Sequence, residues 1–397
     1  MARRLRGGLL ATPFLSMAAA LALALAGACS SSSERSSPPK STPPAVAPSA
    51  PGTVDLTPQR FPDLPGWNSD RHVEALDALR RSCPKFMTRS PSQTVDARSQ
   101  FGRVGQWQEL CAAANLVVDD DRAARAFFER WFVPYGVTYA GDPRGLFTGY
   151  YEPVLRGSWR RTARHTVPVY RTPPEATPAA AKAGRAGPLP SRNQIEAGAL
   201  SGRGLELLWL DDPVDAFFLH IQGSGQVEMT DGSRIRIGYA GKNGHAYTPI
   251  GAELIRLGEI PREQMSMQAI RAWLKSHPAQ APSLMGSNAS YVFFRIVEGE
   301  GPIGAQGVPL RAGRSIAVDP AYVPYGIPVW LDTSDPRTGG GTLRRLVVAQ
   351  DTGGAIKGPI RGDLFWGSGD EAGEGAGLMK QEGRWFVLLP RAAAATS

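Results

Sequence analysis

Residues 343–367 read LRRLVVAQDTGGAIKGPIRGDLFWG. The run from Leu343 to Ala349 has a strand's length, apolar but for Arg344 and Arg345, and breaks at Asp351-Thr352-Gly353-Gly354, where adjacent glycines mark a turn. A second acid, Asp363, stands in Arg361-Gly362-Asp363-Leu364-Phe365-Trp366-Gly367, and a third, Asp319, follows Ile316-Ala317-Val318. One aspartate at the end of a strand usually caps a turn. Three of them beside short apolar runs in one region point to a small β-domain that carries carboxylate chemistry.

Working outward, the same alternation of short runs and turns recurs. Tyr291–Val297, Ile327–Leu331 and Trp385–Leu389 read as strands, as do Thr166–Tyr170, Phe217–Ile221 and Arg234–Tyr239. Thr230-Asp231-Gly232-Ser233 carries a hairpin turn signal. Helices are expected at about 249–257 and 262–275, and throughout 67–135, where Val73, Leu76 and Leu79 recur at helical spacing. Residues 173–190 are rich in Pro, Ala and Gly and read as a surface excursion. With 45 Gly and 34 Pro, the composition favours turns and strands over a helical bundle. The expected class is mainly β with some α.

The N-terminus is a targeting segment. Arg3, Arg4 and Arg6 precede an apolar run that ends Leu25-Ala26-Gly27-Ala28-Cys29, the layout of a secretory signal over residues 1–28. Cys29 after small residues is similar to a lipoprotein processing site, at which that cysteine is acylated. Ordinary cleavage beside Ala28 is the alternative. Residues 29–66 form a Ser/Pro-rich tether with too few apolar side chains for a core. Fully extended, it reaches on the order of 100 Å. In an oxidising compartment Cys83 and Cys111 are left as a candidate disulfide, with two buried thiols as the alternative.

Several chemistries lack support. The histidines, at 72, 165, 220, 245 and 277, never pair at zinc spacing, so no metal or other cofactor is expected. Gln222-Gly223-Ser224-Gly225 lacks the glycine spacing of a nucleophile elbow, and no glycine-rich strand–turn–helix suits a dinucleotide. An aspartic-protease site needs two aspartates sharing a proton, and Asp-Thr-Gly occurs once. The formal charge is +8, and +5 after the signal's three arginines are removed. The basic residues are scattered and no nucleic-acid motif is present, which favours a solvated surface or a carboxylate-bearing partner.

Four stretches resemble the membrane-bound lytic transglycosylase A family. They are Phe147–Pro153 (FTGYYEP); His220–Gly225 (HIQGSG) continuing to Tyr239–Tyr247 (YAGKNGHAY); Asn288–Phe294 (NASYVFF); and the three-aspartate region 319–367. The resemblance covers about two-thirds of the chain. It implies a double-psi β-barrel built from 67–153, with its N-terminal helices, and 290–392. A second, barrel-like β-domain is inserted at 154–289, and a groove between the two holds a glycan strand.

The resemblance further implies cleavage of the β-1,4 bond between N-acetylmuramic acid and N-acetylglucosamine in peptidoglycan, without water, leaving 1,6-anhydro ends. Asp363 matches the single catalytic acid, with Asp351 and Asp319 in support. Lys357–Gly362 is one residue longer than the family pattern. Sugar contacts are expected from Thr148, Gly149, Tyr150, Tyr151, Glu152, Gln222, Gly223, Ser224, Tyr239, Asn243, His245, Tyr247, Gly353, Gly354 and Lys357. They offer aromatic platforms, hydroxyl partners, glycines that let a ligand near the backbone, and a lysine for a lactyl or peptide carboxylate. Core packing is the competing role for each tyrosine. The expected protein is a monomer in the cell envelope, on the periplasmic face, anchored by lipid to the outer membrane. The alternative is a non-catalytic, expansin-like peptidoglycan-binding lipoprotein.

Overall fold

The alternating apolar runs pair into two sheets in a computed structural model that describes residues 54–177, 187, 189–339 and 341–391. The signal segment, Cys29 and the tether up to residue 53 lie outside the described residues, as does most of the Pro/Ala/Gly excursion.

The first sheet contains β1 (Asp55–Pro58), β2 (Phe132–Thr138), β3 (Gly145–Glu152), β10 (Ser315–Val318), β11 (Pro328–Ser334), β12 (Thr342–Asp351), β13 (Arg361–Ser368) and β14 (Lys380–Pro390). Its order is β1-β2-β14-β11-β12-β10-β13-β3, and β14 also pairs with β3. The strands β3, β14, β11, β12, β10 and β13 therefore close on themselves. Two pairings in that ring, β10 with β12 and β13 with β3, are parallel. This is the double-psi barrel.

The second sheet, in order β5-β6-β4-β7-β8-β9, is made by β4 (Val154–Ser158), β5 (Val167–Tyr170), β6 (Glu206–Leu210), β7 (Ser224–Met229), β8 (Arg234–Lys242) and β9 (Val292–Val297).

Three helices, α1 (His72–Met87), α2 (Val104–Asn115) and α3 (Asp121–Trp131), precede β2 and cover the barrel. One continuous core runs from Leu76, Trp107 and Phe128 on these helices to Val329, Trp330 and Val387 in the barrel, all fully buried. Arg314, itself buried, fastens the two layers: it donates 2.8 Å to Asp70 and 3.0 Å to Glu74 at the head of α1. Cys83 and Cys111 form a disulfide between α1 and α2, with Cα atoms 5.5 Å apart.

Three expectations are corrected. Phe217–Ile221 lies in a helix, Pro213–Gln222, not a strand. Asp212 caps it by accepting from the Val214 and Asp215 amides, Pro213 occupies the first turn, and Gly223 ends it at φ 79°. These punctuation residues override the β-like apolar run. The hairpin turn at 230–233 is present, and its first strand is Ser224–Met229. The tether is shorter than 29–66, because Val54, Phe61 and Leu64 are buried and Asp55–Pro58 pairs with β2. The insert also extends past 289: β9 pairs with β8, so the chain returns to the barrel only after Val297.

Candidate active site

Strand alternation positions the central acids. On β3, Phe147 enters the barrel core, and Thr148 and Tyr150 face the opposite way. On β13, Leu364 enters the core and Asp363 takes the other face, as do Arg361 and Phe365 two residues to either side. The parallel register sets Asp363 beside Thr148 and Phe365 beside Tyr150. Gly149 is required between them, since a Cβ there would lie 2.5 Å from the Trp366 indole nitrogen.

Thr148 Oγ1 donates to Asp363 Oδ1 at 2.5 Å and accepts from Arg361 Nη2 at 2.8 Å. Tyr150 donates from its hydroxyl to Asp351 Oδ2 at 2.8 Å, and the Ala305 and Thr352 amides donate to Asp351 Oδ1 at 2.8 and 2.9 Å. Asp351 thus meets three fixed donors and Asp363 only one. Burial pushes the Asp363 carboxyl from 3.8 up to about 6. The Thr148 hydrogen bond and the Arg361 charge oppose that rise, and the negative charge of Asp351 adds to it. Burial lifts Asp351 as well, and its donors pull it back. Asp363 keeps part of its surface open to solvent. It is desolvated enough to keep a proton up to about pH 6 and open enough to deliver one.

Asp319 is buried and accepts from the Ala321 and Gly358 amides at 3.1 and 3.0 Å. It ties down the loop 352–360, on which Gly353, Gly354 and Lys357 sit, the last two exposed. Among the described residues no cluster of three or more His, Cys, Asp or Glu could hold a metal ion.

The other expected sugar contacts divide. Tyr239 and Tyr247 are exposed on the insert and remain available as platforms. Gln222 spends its Oε1 on the Tyr151 amide at 3.1 Å, joining the insert's helix to β3. Ser224 opens β7 half-buried, after Gly223 in its left-handed turn. His245 holds Leu189 O at 2.9 Å through Nε2. Tyr151 is buried against the helix Asp370–Leu378.

Glu152 and Asn243 are corrected from sugar contacts to internal braces. Glu152 is fully buried and accepts from Arg236 at 2.7 Å, Gln226 at 2.9 Å and Ser368 at 2.6 Å. Asn243 donates to Pro190 O and Ala289 O and accepts from the Tyr291 amide, each at 2.9 Å. Both are buried, with their polar atoms engaged by protein partners. Arg361 was not foreseen as a site residue. Its signal was in plain view, two residues before Asp363 on the same strand face.

Residues 146–295 match the MltA specific insert domain and residues 314–389 match the 3D domain. The chain is 37% identical over 330 residues to membrane-bound lytic murein transglycosylase A of Escherichia coli K12, covering 81% of this chain and 82% of that protein. It is 36% identical over 256 residues to the Vibrio cholerae protein of the same name, covering 62% and 67%. The crystal structure of a membrane-bound lytic murein transglycosylase from Agrobacterium tumefaciens superposes with TM-score 0.77 at 36% identity, over 87% of this chain and 99% of that one. Escherichia coli MltA with bound chitohexaose superposes with TM-score 0.63 at 32% identity, over 86% and 95%. This chain belongs to the membrane-bound lytic murein transglycosylase A family.

Proposed function

We propose that this protein is a lytic transglycosylase that cleaves the β-1,4 bond between N-acetylmuramic acid and N-acetylglucosamine in peptidoglycan, with Asp363 as its acid and then its base. The single observation that carries the reading is Asp363 itself. It is a carboxyl group raised to about 6 by burial, held by one hydrogen bond, with solvent on one side.

Protonated Asp363 gives its proton to the glycosidic oxygen, and the C1–O bond breaks with its electron pair leaving on that oxygen. The resulting carboxylate takes the proton of the muramic C6 hydroxyl as that oxygen bonds C1, closing a 1,6-anhydro ring. Hydrolytic glycosidases use a second carboxyl group as nucleophile or base. The nearby acid, Asp351, has both oxygens committed to Tyr150, Ala305 and Thr352, which supports a one-carboxyl route. Its fixed negative charge is suited to stabilising the oxocarbenium-like transition state. The chitohexaose bound to the Escherichia coli relative supports a β-1,4-linked amino-sugar strand as ligand. Tyr239, Tyr247 and Lys357 are exposed contacts for the strand and its peptide.

Incubation with purified peptidoglycan followed by mass analysis tests the reading. Anhydro-ended muropeptides are expected. Reducing ends would indicate hydrolysis, and strand binding without products would favour a non-catalytic binder. Asp363→Asn is expected to bind strands without cleaving them, and full turnover by it would overturn the assignment. The protein acts in the cell envelope, and acylation of Cys29 holds it there at the periplasmic face of the outer membrane. Among the described residues no helix is long and apolar enough to cross a membrane. Cys29→Ser is expected to release the protein into the soluble fraction and to abolish labelling by a fatty acid.

A further inference from the structure

Asp363 receives a hydrogen bond whose direction is biased by a neighbour. A guanidinium can only donate, and Arg361 Nη2 lies 2.8 Å from Thr148 Oγ1. The Thr148 oxygen accepts there with one of its two lone pairs, which turns its one proton away from Arg361, and Asp363 Oδ1, 2.5 Å away, is the acceptor that proton meets. An Oδ1 that accepts this proton is the carbonyl-type oxygen of the neutral acid.

We propose that Arg361 is a positioning residue for catalysis: acting through Thr148, it places the acidic proton of Asp363 on Oδ2, so that Oδ2 is the atom that donates to the glycosidic oxygen and later receives the C6 proton. This rests on the reading of Asp363 as the acid. Without Arg361 the Thr148 hydroxyl turns freely. Accepting from Asp363 Oδ1–H then becomes as open to it as donating, and that alternative holds the proton on the wrong oxygen.

The charge of Arg361 has a second consequence. Its remaining contacts are the backbone carbonyls of Leu146 and Gly362, and among the described residues no carboxylate forms an ion pair with it. The positive charge therefore favours the Asp363 carboxylate that forms once the proton has left, and it opposes the effect of burial. The other titratable groups around Asp363 are Tyr150 on β3, Asp351 at the end of β12, Asp319 at the end of β10, and Lys380 on β14 opposite Thr148. Asp351 acts against Arg361 by raising the Asp363 carboxyl.

The experiment measures kcat, KM and the pH profile on soluble peptidoglycan strands for Arg361→Met, Arg361→Lys, Thr148→Val and Thr148→Ser, with unfolding curves to establish that each folds. For Arg361→Met, kcat is expected to fall about tenfold or more, a fraction of what a general acid contributes. KM should change by less than about twofold, and the alkaline limb should move up by roughly half a pH unit or more. Arg361→Lys, which keeps the charge and a donor, should restore the limb. Thr148→Ser should keep most of kcat, and Thr148→Val should lose it.

An Arg361→Met protein with unchanged kcat and limb, or with a defect confined to KM, overturns the inference. If that variant does not fold, the Thr148 pair decides: equal kcat for Val and Ser overturns it. Turnover by Asp363→Asn would sink the functional reading beneath it. An inactive Asp363→Asn beside an unaffected Arg361→Met would sink this inference alone.

Discussion

Asp363→Asn should make the protein more stable while removing its activity, and the gain should depend on pH. The carboxyl stands at 3.8 ordinarily and at about 6 in the folded chain. Between these values the native state holds a proton that the unfolded state has released, so wild-type stability falls as pH rises through that window. At about 1.4 kcal/mol per pH unit, the full loss by pH 7 is about 3 kcal/mol at most. Partial solvent exposure lowers it towards about 2. Asparagine keeps an oxygen for the Thr148 hydroxyl and carries no charge to desolvate. The variant should therefore gain about 2–3 kcal/mol at pH 7, less at pH 5, and nothing below pH 3.8. Urea unfolding of both proteins at pH 3.5, 5 and 7 measures this directly. An equal difference at all three values, or a less stable variant at pH 7, would refute the claim that Asp363 is held in its raised state by burial.

Three further outcomes are expected. The ratio kcat/KM should fall as pH rises through about 6, because the general acid is then lost; a profile flat from pH 5 to 8 would rule out Asp363 as that acid. Replacing Cys83 and Cys111 with serine opens a cross-link 28 residues apart in sequence and should cost about 3–4 kcal/mol in urea unfolding, with no further effect of reductant. Glu152→Ala leaves Arg236 without its buried partner where the barrel meets the insert, and should cost about 3–5 kcal/mol. A melting temperature equal to wild type would show that Glu152 is not a brace.

Much of the site could be read along the chain because strand geometry is local. The apolar runs before Asp319 and Asp351 and around Asp363 became β10, β12 and β13. The period of two also accounts for Thr148, Tyr150, Arg361 and Asp363 facing one way. What failed to be read was what each polar side chain spends itself on. Glu152 and Asn243 lie in polar motifs as promising as those of Tyr239 and Tyr247, yet the first two are consumed by internal partners and the last two are exposed. Phe217–Ile221 misled for the opposite reason. Its apolar run is compatible with either period, and the decisive cap, Asp212, lies five residues upstream.

By itself, the order of residues determined the strand-rich class, the export signature, the family motifs and the identity of the three acids, since each depends on neighbours a few positions apart. Only the tertiary structure decided that Thr148 and Asp363, 215 residues apart, share a hydrogen bond, and that burial holds one carboxyl near 6. Desolvation and hydrogen-bond direction are set by atoms gathered from distant segments, and no local pattern records them.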